Sequence, residues 1–168
     1  SGTLAGGDFL TATATEIDAP AQVGLDDQLA YGNTSEFAVN VAVNLVNSAP
    51  TIGLPGTAVS YGEGDPATVI DATATFSDPD GGDFAGGTLT IDFSSGGTTD
   101  DRLAIRDEGI GLGQIGVSGS NVTYEGTIIG TFTGGTDGAT PLVITFNGFS
   151  DDASVQALIR NITFENVG

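Results

Sequence analysis

The sequence predicts an all-β protein: an antiparallel β-sandwich with one short helix and an N-terminal β-hairpin extension. Polar and apolar residues alternate in many short runs, and glycine-rich turns separate these runs at a spacing typical of sandwiches. A single stretch near the end has apolar residues at helical spacing. Apolar residues make up 39% of the 168-residue chain, which is enough for a folded core despite the high net charge.

The first 46 residues predict a long hairpin. Residues 9–15 alternate threonine with apolar side chains, and residues 36–44 alternate apolar with small or polar ones. The polar stretch between them contains Pro20, Gly24, Gly32 and Asn33, which favour loop structure. We therefore expect residues 1–46 to form a hairpin segment with a long loop.

Residues 47–168 predict the sandwich itself, after a short linker at residues 47–50. Two tight hairpin turns are expected at residues 118–121 and 124–127. The predicted strands are residues 57–61, 67–76, 87–93, 102–107, 115–118, 121–124, 127–132, 142–146 and 161–164.

One helix of about two turns is predicted within residues 150–161, packed across one end of the sandwich. Val155, Leu158, Ile159 and Ile162 recur at helical spacing. Ser150 or Asp151 can cap its N-terminus, Asp152 suits the positive end of the helix dipole, and Asn161 can close the other end.

The charge excludes two classes of partner. The chain carries 22 acidic and three basic residues, and its net charge is −19. Nucleic acids and anionic membrane surfaces would be repelled, since no basic cluster exists to neutralise phosphates. Such a charge also opposes the compact state, and bound divalent cations would relieve it. No run approaches the ~20 apolar residues of a membrane-spanning helix.

Residues 47–168 resemble the cadherin-like domains that occur in tandem in large bacterial surface proteins and adhesins. The resemblance rests on the order and spacing of several short motifs. These are Asn47-Ser48-Ala49-Pro50, Tyr61-Gly62-Glu63-Gly64-Asp65, Val69-Ile70-Asp71, Phe76-Ser77-Asp78-Pro79-Asp80, Leu89-Thr90-Ile91, Gly113-Gln114-Ile115-Gly116-Val117 and the run from Val155 to Phe164. It implies an immunoglobulin-like β-sandwich, Ca²⁺ near module junctions, a spacer or adhesive role, and an extracellular or bacterial cell-surface location.

The resemblance also implies a final hairpin after residue 164, which this sequence does not contain. Residues 1–46 resemble such a closing hairpin but have no module in front of them. With no initiator methionine and no signal peptide, we expect the chain to be a piece of a longer precursor. Three explanations of the hairpin remain open: donation to the next copy, folding back onto its own sandwich, or a boundary artefact.

Donation between copies would make a head-to-tail homopolymer, because a heterologous contact of this kind does not close on itself. We expect its interface to be apolar and to come from both predicted strands of the hairpin. The candidate residues are Phe9, Leu10, Phe37, Val39, Val41 and Val43.

Calcium is the expected cofactor. Asp78, Asp80 and Asp83 alternate in a glycine-containing loop, which lets several carboxylate oxygens face one cation. The resemblance adds Glu63, Asp65 and Asn47 at the same end of the module. The alternative is a solvated acidic turn. A second polar cluster, residues 100–102 and 106–108, is best explained by local ion pairs that Arg102 and Arg106 form with neighbouring carboxylates.

Catalysis is not expected. The chain has no histidine or cysteine for nucleophilic or zinc chemistry and no lysine as an alternative base. Its carboxylates could serve a glycosidase, but with no tryptophan and three tyrosines it lacks an aromatic platform for a sugar. Sequons at Asn33, Asn121 and Asn161 are possible glycosylation sites.

The predicted function is a calcium-stabilised fibre or matrix subunit, and the alternatives are an adhesive module for a surface glycan or protein and a passive spacer.

Overall fold

A computed structural model describes residues 47–82 and 84–168, and the backbone of four short strands before residue 47. The chain falls into two compact units, Ser1–Asn47 and Ser48–Gly168. Within the described residues the protein consists mostly of antiparallel strands with one short helix. The prediction of an all-β fold with one short helix is therefore confirmed.

Two short antiparallel ladders are described in the first unit. Strand β1 (Phe9–Leu10) pairs with β4 (Val41–Ala42), with Leu10 directly opposite Val41. Strand β2 (Ala14–Thr15) pairs with β3 (Thr34–Ser35). The β1–β4 pair joins the two segments that the sequence predicts as the strands of a hairpin.

The second unit contains two larger sheets. The first has five strands in the order β10-β11-β12-β13-β8 and the second has three in the order β6-β14-β9. A small ladder, β5 with β7, accompanies them. The strands are β5 (Thr51–Gly53), β6 (Thr68–Val69), β7 (Thr75–Ser77), β8 (Thr88–Ile91), β9 (Asp101–Ile105), β10 (Ile115–Ser118), β11 (Asn121–Tyr124), β12 (Thr127–Thr133), β13 (Leu142–Phe146) and β14 (Ile162–Asn166).

Both larger sheets contribute to one core. Alternate residues of β13 are buried, namely Leu142, Ile144 and Phe146, and Leu103 and Ile105 of β9 follow the same period of two. The helix adds Val155, Leu158 and Ile159 to the same cluster. Side chains from both sheets and from the helix thus pack together.

Helix α1 (Asp152–Ile159) confirms the helix prediction. Its structure also shows which of the two expected residues, Ser150 or Asp151, caps the N-terminus. Asp151 is the N-cap: its Oδ1 accepts the Ser154 backbone N–H at 2.8 Å. The Ser154 hydroxyl Oγ in turn accepts the Asp151 N–H at 2.8 Å, which completes a capping box. The helix ends at Ile159, and Arg160 rather than Asn161 is its C-cap.

The tight turns also form as predicted. Ser118 pairs with Asn121, and Tyr124 with Thr127, so that each turn has two central residues. In the second turn Glu125 and Gly126 both have positive φ, 52° and 80°, as the type I′ geometry requires.

Two predicted strands differ from the structure, and one observed strand was not predicted. Residues 57–61 do not form a strand. Residues 67–76 form two short strands, β6 and β7, because the Asp71 carboxylate accepts the Thr73 N–H at 2.8 Å and turns the chain between them. Strand β5 directly follows the predicted linker at residues 47–50, where the sequence predicts no strand.

Candidate functional site

An open groove lies along one side of the second unit, between strands β6 and β8. It consists of two adjoining cavities of about 540 and 250 Å³. Both cavities are lined by Leu54, Ile70, Asp71, Ile91 and Asp92. We call the space that these residues share the edge groove.

The edge groove is bordered by two strands that each have only one described neighbour. Strand β8 is the last strand of the five-stranded sheet, and β6 is the last strand of the three-stranded sheet. The other edge of each strand therefore has backbone N–H and C=O groups without a strand partner among the described residues. Such free edges can pair with an added strand.

The floor of the groove is the core itself. Ile91 lies opposite Leu142, and Leu89 lies opposite Ile144, so these β8 residues share the inward face of the sheet. Leu142 and Ile144 are fully buried, whereas Leu89 and Ile91 remain half-buried. The difference arises because no described strand covers the far side of β8.

Residues 54–61 cross the groove and are held at both ends. At one end the Gly56 N–H donates to Asp71 Oδ2 at 2.9 Å. At the other end the Tyr61 ring stacks edge-on against Phe164 at 4.8 Å, and the Tyr61 hydroxyl donates to the Asp65 carbonyl. The N–H groups of residues 57–60 donate no hydrogen bond to any other described residue.

The Asp71 carboxylate accepts hydrogen bonds from two parts of the chain beside the groove. The Thr73 hydroxyl donates to its Oδ1 at 2.6 Å, and the N–H groups of Gly56 and Thr73 donate as well. The Thr73 hydroxyl, followed by the Gly56 N–H, lowers the pKa of Asp71 below its ordinary value of 3.8. A Cβ on Gly56 would lie 2.6 Å from the Asp71 carboxylate carbon, so this approach requires glycine.

Glu63 and Asp65, two of the predicted calcium ligands, lie in local structures of their own. Asp65 accepts the Gly62 N–H at 2.9 Å within its own turn. Glu63 lines a different cleft, next to Asp101 and Asn166. Asn47 is exposed and Asp83 lies outside the described residues. In the described part of the chain, no three acidic side chains are grouped so that they could hold a metal.

Asp78 and Asp80 share one turn, and Asp152 of α1 contacts it. Asp78 Oδ1 accepts the Asp80 N–H at 3.1 Å, and Asp152 Oδ2 accepts the Asp78 N–H at 3.2 Å. The other Asp152 oxygen, Oδ1, is buried and has no hydrogen-bond partner among the described residues. Sequence reasoning assigned Asp152 only to the helix start, since nothing local links it to a loop more than seventy residues earlier.

The second polar cluster is structural. Asp101 is 7% exposed and accepts the Asn166 side-chain amide at 2.8 Å and the Thr98 N–H at 2.7 Å. These two bonds, the amide first, lower the pKa of Asp101 below 3.8. Arg106 forms an ion pair with Glu108 at 2.8 Å, whereas Arg102 donates to backbone carbonyls, including that of Thr99.

The predicted polymer interface falls mostly outside the described residues. Phe37, Val39 and Val43 are not described, and Phe9, Leu10 and Val41 are described only through the backbone pairing of β1 with β4. The edge groove was not predicted residue by residue. Its position depends on which strands end each sheet, which is a long-range property of the fold.

The three sequons differ in their surroundings. Asn33 lies outside the described residues, and Asn121 is half-buried at the start of β11. Asn161 is buried, and its amide donates to Ala157 O and Glu108 Oε2 while its carbonyl accepts from Arg106. The folded chain therefore does not present the Asn161 side chain for glycosylation.

No family model, curated protein or solved structure matches this chain. Among the described residues, no helix is both long and apolar enough to cross a membrane.

Proposed function

We propose that this chain is a non-enzymatic, extracellular structural protein whose copies assemble head to tail into a fibre or matrix by donating β-strands. In this proposal residues 47–168 form a cadherin-like β-sandwich that accepts a strand, and residues 1–46 supply it. The edge groove is the observation that carries the proposal.

The groove suits an extended chain better than a compact ligand. Its combined volume would also admit a small apolar molecule. A small molecule, however, would leave the backbone groups along the free edges of β8 and β6 without partners. An added strand would pair with the free edge of β8 by hydrogen bonding and would cover Leu89 and Ile91 with alternate side chains.

The sequence of residues 37–46 has the properties that such a strand needs. Phe37, Val39, Val41 and Val43 occupy alternate positions, and the segment contains no glycine or proline. Residues 37–62 contain no charged side chain, although the whole chain has a net charge of −19. An uncharged strand can approach a second acidic copy without bringing like charges into contact.

A second copy is the proposed donor because the connection inside one chain is short. Only residues 47–50 separate residues 37–46, which we call the donor segment, from β5. The Ser48 N–H within this connection donates to the Asp80 carboxylate. For a chain to fill its own groove, it would have to reverse direction within those four residues to run beside residues 54–61. The segment of a second copy meets no such restriction.

Calcium remains part of the proposal as a stabiliser of the subunit. Two of the predicted ligands, Asp78 and Asp80, share one turn, and Asp152 Oδ1 is buried next to it without a hydrogen-bond partner among the described residues. These three carboxylates do not by themselves form a metal-binding group, so the site would also need Asp83, the predicted ligand of the same loop. Bound Ca²⁺ would supply positive charge there and fix the turn to the N-terminus of α1. Carboxylate oxygens are the ligands that this cation prefers.

The proposal is tested by electron microscopy and sedimentation of the purified 168-residue chain, with Ca²⁺ and with a chelator. We expect fibres from the wild type and from Leu112→Asp, whose side chain is 90% exposed and does not line the groove. We expect none from Ile91→Asp or Val41→Asp, which place a charge in the acceptor and in the donor.

A compact monomer of the wild-type chain under both conditions would contradict the polymer and leave the spacer or adhesive module as the better account. Fibres from both Ile91→Asp and Val41→Asp would show that another surface joins the copies. Circular dichroism of each variant verifies that it is folded.

A further inference from the structure

Residues 57–61 have strand-forming sequence but no strand structure. Thr57, Val59 and Tyr61 are β-branched or aromatic and alternate with the small residues Ala58 and Ser60, which favours a strand. In the structure these residues form no strand, and Val59 is 47% exposed. Local preference and observed conformation therefore disagree here.

This segment lies in the edge groove, and its ends are already fixed. Thr57, Ala58, Val59 and Tyr61 line the larger cavity together with Ile91 and Phe93 of the β8 side. The bond from Gly56 to Asp71 and the stacking of Tyr61 on Phe164 hold the two ends. Between these fixed points, the N–H groups have no described partner.

We propose that residues 57–61 become a β-strand when the donor strand docks, so that the incoming strand pairs with β8 on one side and with residues 57–61 on the other. Because a strand has only two edges, β4 of the donor must then leave its partner β1. This inference rests on the proposed function, since a donor strand must first occupy the groove. A strand of five residues and the four residues of β8 are similar in length, at about 3.3 Å per residue.

Within the accepting copy, the transition requires little rearrangement. The missing component is a partner strand for residues 57–60, and an inserted strand would bond the alternate backbone groups that face it. Ordering so short a segment costs less conformational entropy when its ends are already held. Leu54 and Val59, which are exposed in the single chain, would then be covered by the neighbouring copy.

Hydrogen exchange of the full-length chain tests this inference. Alternate amides among residues 57–60 are expected to exchange rapidly at concentrations where the chain is monomeric and to become protected in fibres, because every second N–H group of a strand faces the incoming strand. Amides in the loop at residues 109–113, which does not line the groove, serve as the internal control and should exchange equally in both states.

Two proline variants provide a second readout. In a strand, alternate N–H groups point to the same side, so either Ala58→Pro or Val59→Pro removes a donor that faces the incoming strand. We expect one of the two to raise the critical concentration for assembly roughly fivefold, which corresponds to one lost hydrogen bond. Thermal unfolding of the monomer should not change, because neither N–H donates to a described residue.

The outcomes separate the two proposals. Fibres in which amides 57–60 stay unprotected, and which both proline variants form at the wild-type concentration, would overturn the strand transition and leave strand donation standing. The absence of any fibre would overturn both.

Discussion

Replacing Leu54 by alanine should weaken assembly somewhat more than it weakens the fold. The Leu54 side chain lines both cavities of the edge groove and is 64% exposed in the single chain. The substitution removes three carbons, worth about 2.4 kcal/mol at roughly 0.8 kcal/mol for each when fully buried. Because 64% of the side chain is still exposed, about 1.5 kcal/mol of this is available only when a second copy covers it.

The expected result is a rise in the critical concentration of about tenfold, since 1.4 kcal/mol corresponds to a factor of ten. The free energy of unfolding of the monomer should fall by only about 1 kcal/mol. Sedimentation gives the first quantity and urea denaturation the second. Leu112→Ala is the matched control, because Leu112 is 90% exposed and does not line the groove. An unchanged critical concentration for Leu54→Ala, or an equal rise for Leu112→Ala, would refute the reasoning.

Three further predictions concern the cap, the pH and the salt dependence. Asp151→Ala should lower the free energy of unfolding by about 1 kcal/mol in urea denaturation. Asp151→Asn should lower it much less, because asparagine keeps an oxygen that can accept the Ser154 N–H. Equal losses for the two variants would contradict the role of Asp151 as the cap. Because its folded-state pKa is lowered, the Asp101 carboxylate stabilises the fold above about pH 4 and less so as the pH falls through that pKa. Asp101→Asn should therefore lose less stability than the wild type between pH 4 and pH 2, and parallel pH profiles would argue against this. Raising the NaCl concentration from about 10 to 150 mM shortens the Debye length from about 30 to 8 Å. Because this screens the repulsion between acidic chains, assembly followed by light scattering should become faster. Slower assembly would indicate that opposite charges attract the copies instead.

The elements that local signals determine were predicted well from the sequence. Helix α1 was predicted because its cap at Asp151 and its apolar spacing both lie within a dozen residues. The hairpin turn at Glu125 and Gly126 was predicted for the same reason, since a two-residue turn between alternating runs is a local pattern. In these elements local preference and tertiary packing agree.

The elements that depend on distant contacts were predicted poorly. Residues 67–76 look like one strand, but Asp71 binds Gly56 and Thr73 and breaks the run. Residues 57–61 look like a strand, but no described strand lies beside them to complete the pairing. A strand needs a neighbour, and the sequence of one segment does not specify where that neighbour lies.

The candidate site was predicted only in part. The alternating segment at residues 36–44 drew attention to strand donation, and Asp78 and Asp80 do share one turn. The edge groove and the contact of Asp152 with that turn depend on long-range topology and on packing across more than seventy residues. Local spacing in the sequence contains no signal for either feature.

The central claim is that the donor segment of one copy lies in the edge groove of another, and disulfide trapping tests it most directly. The chain has no cysteine, so each introduced thiol is unique. One copy would carry Ile91→Cys and the other Val39→Cys, Val41→Cys or Val43→Cys, with Leu112→Cys as the acceptor control. After mild oxidation of the mixture, the account predicts a covalent dimer from Ile91→Cys with at least one donor variant and none from Leu112→Cys. A cross-link that forms only when both cysteines are in the same chain, or none with any donor position, would contradict it.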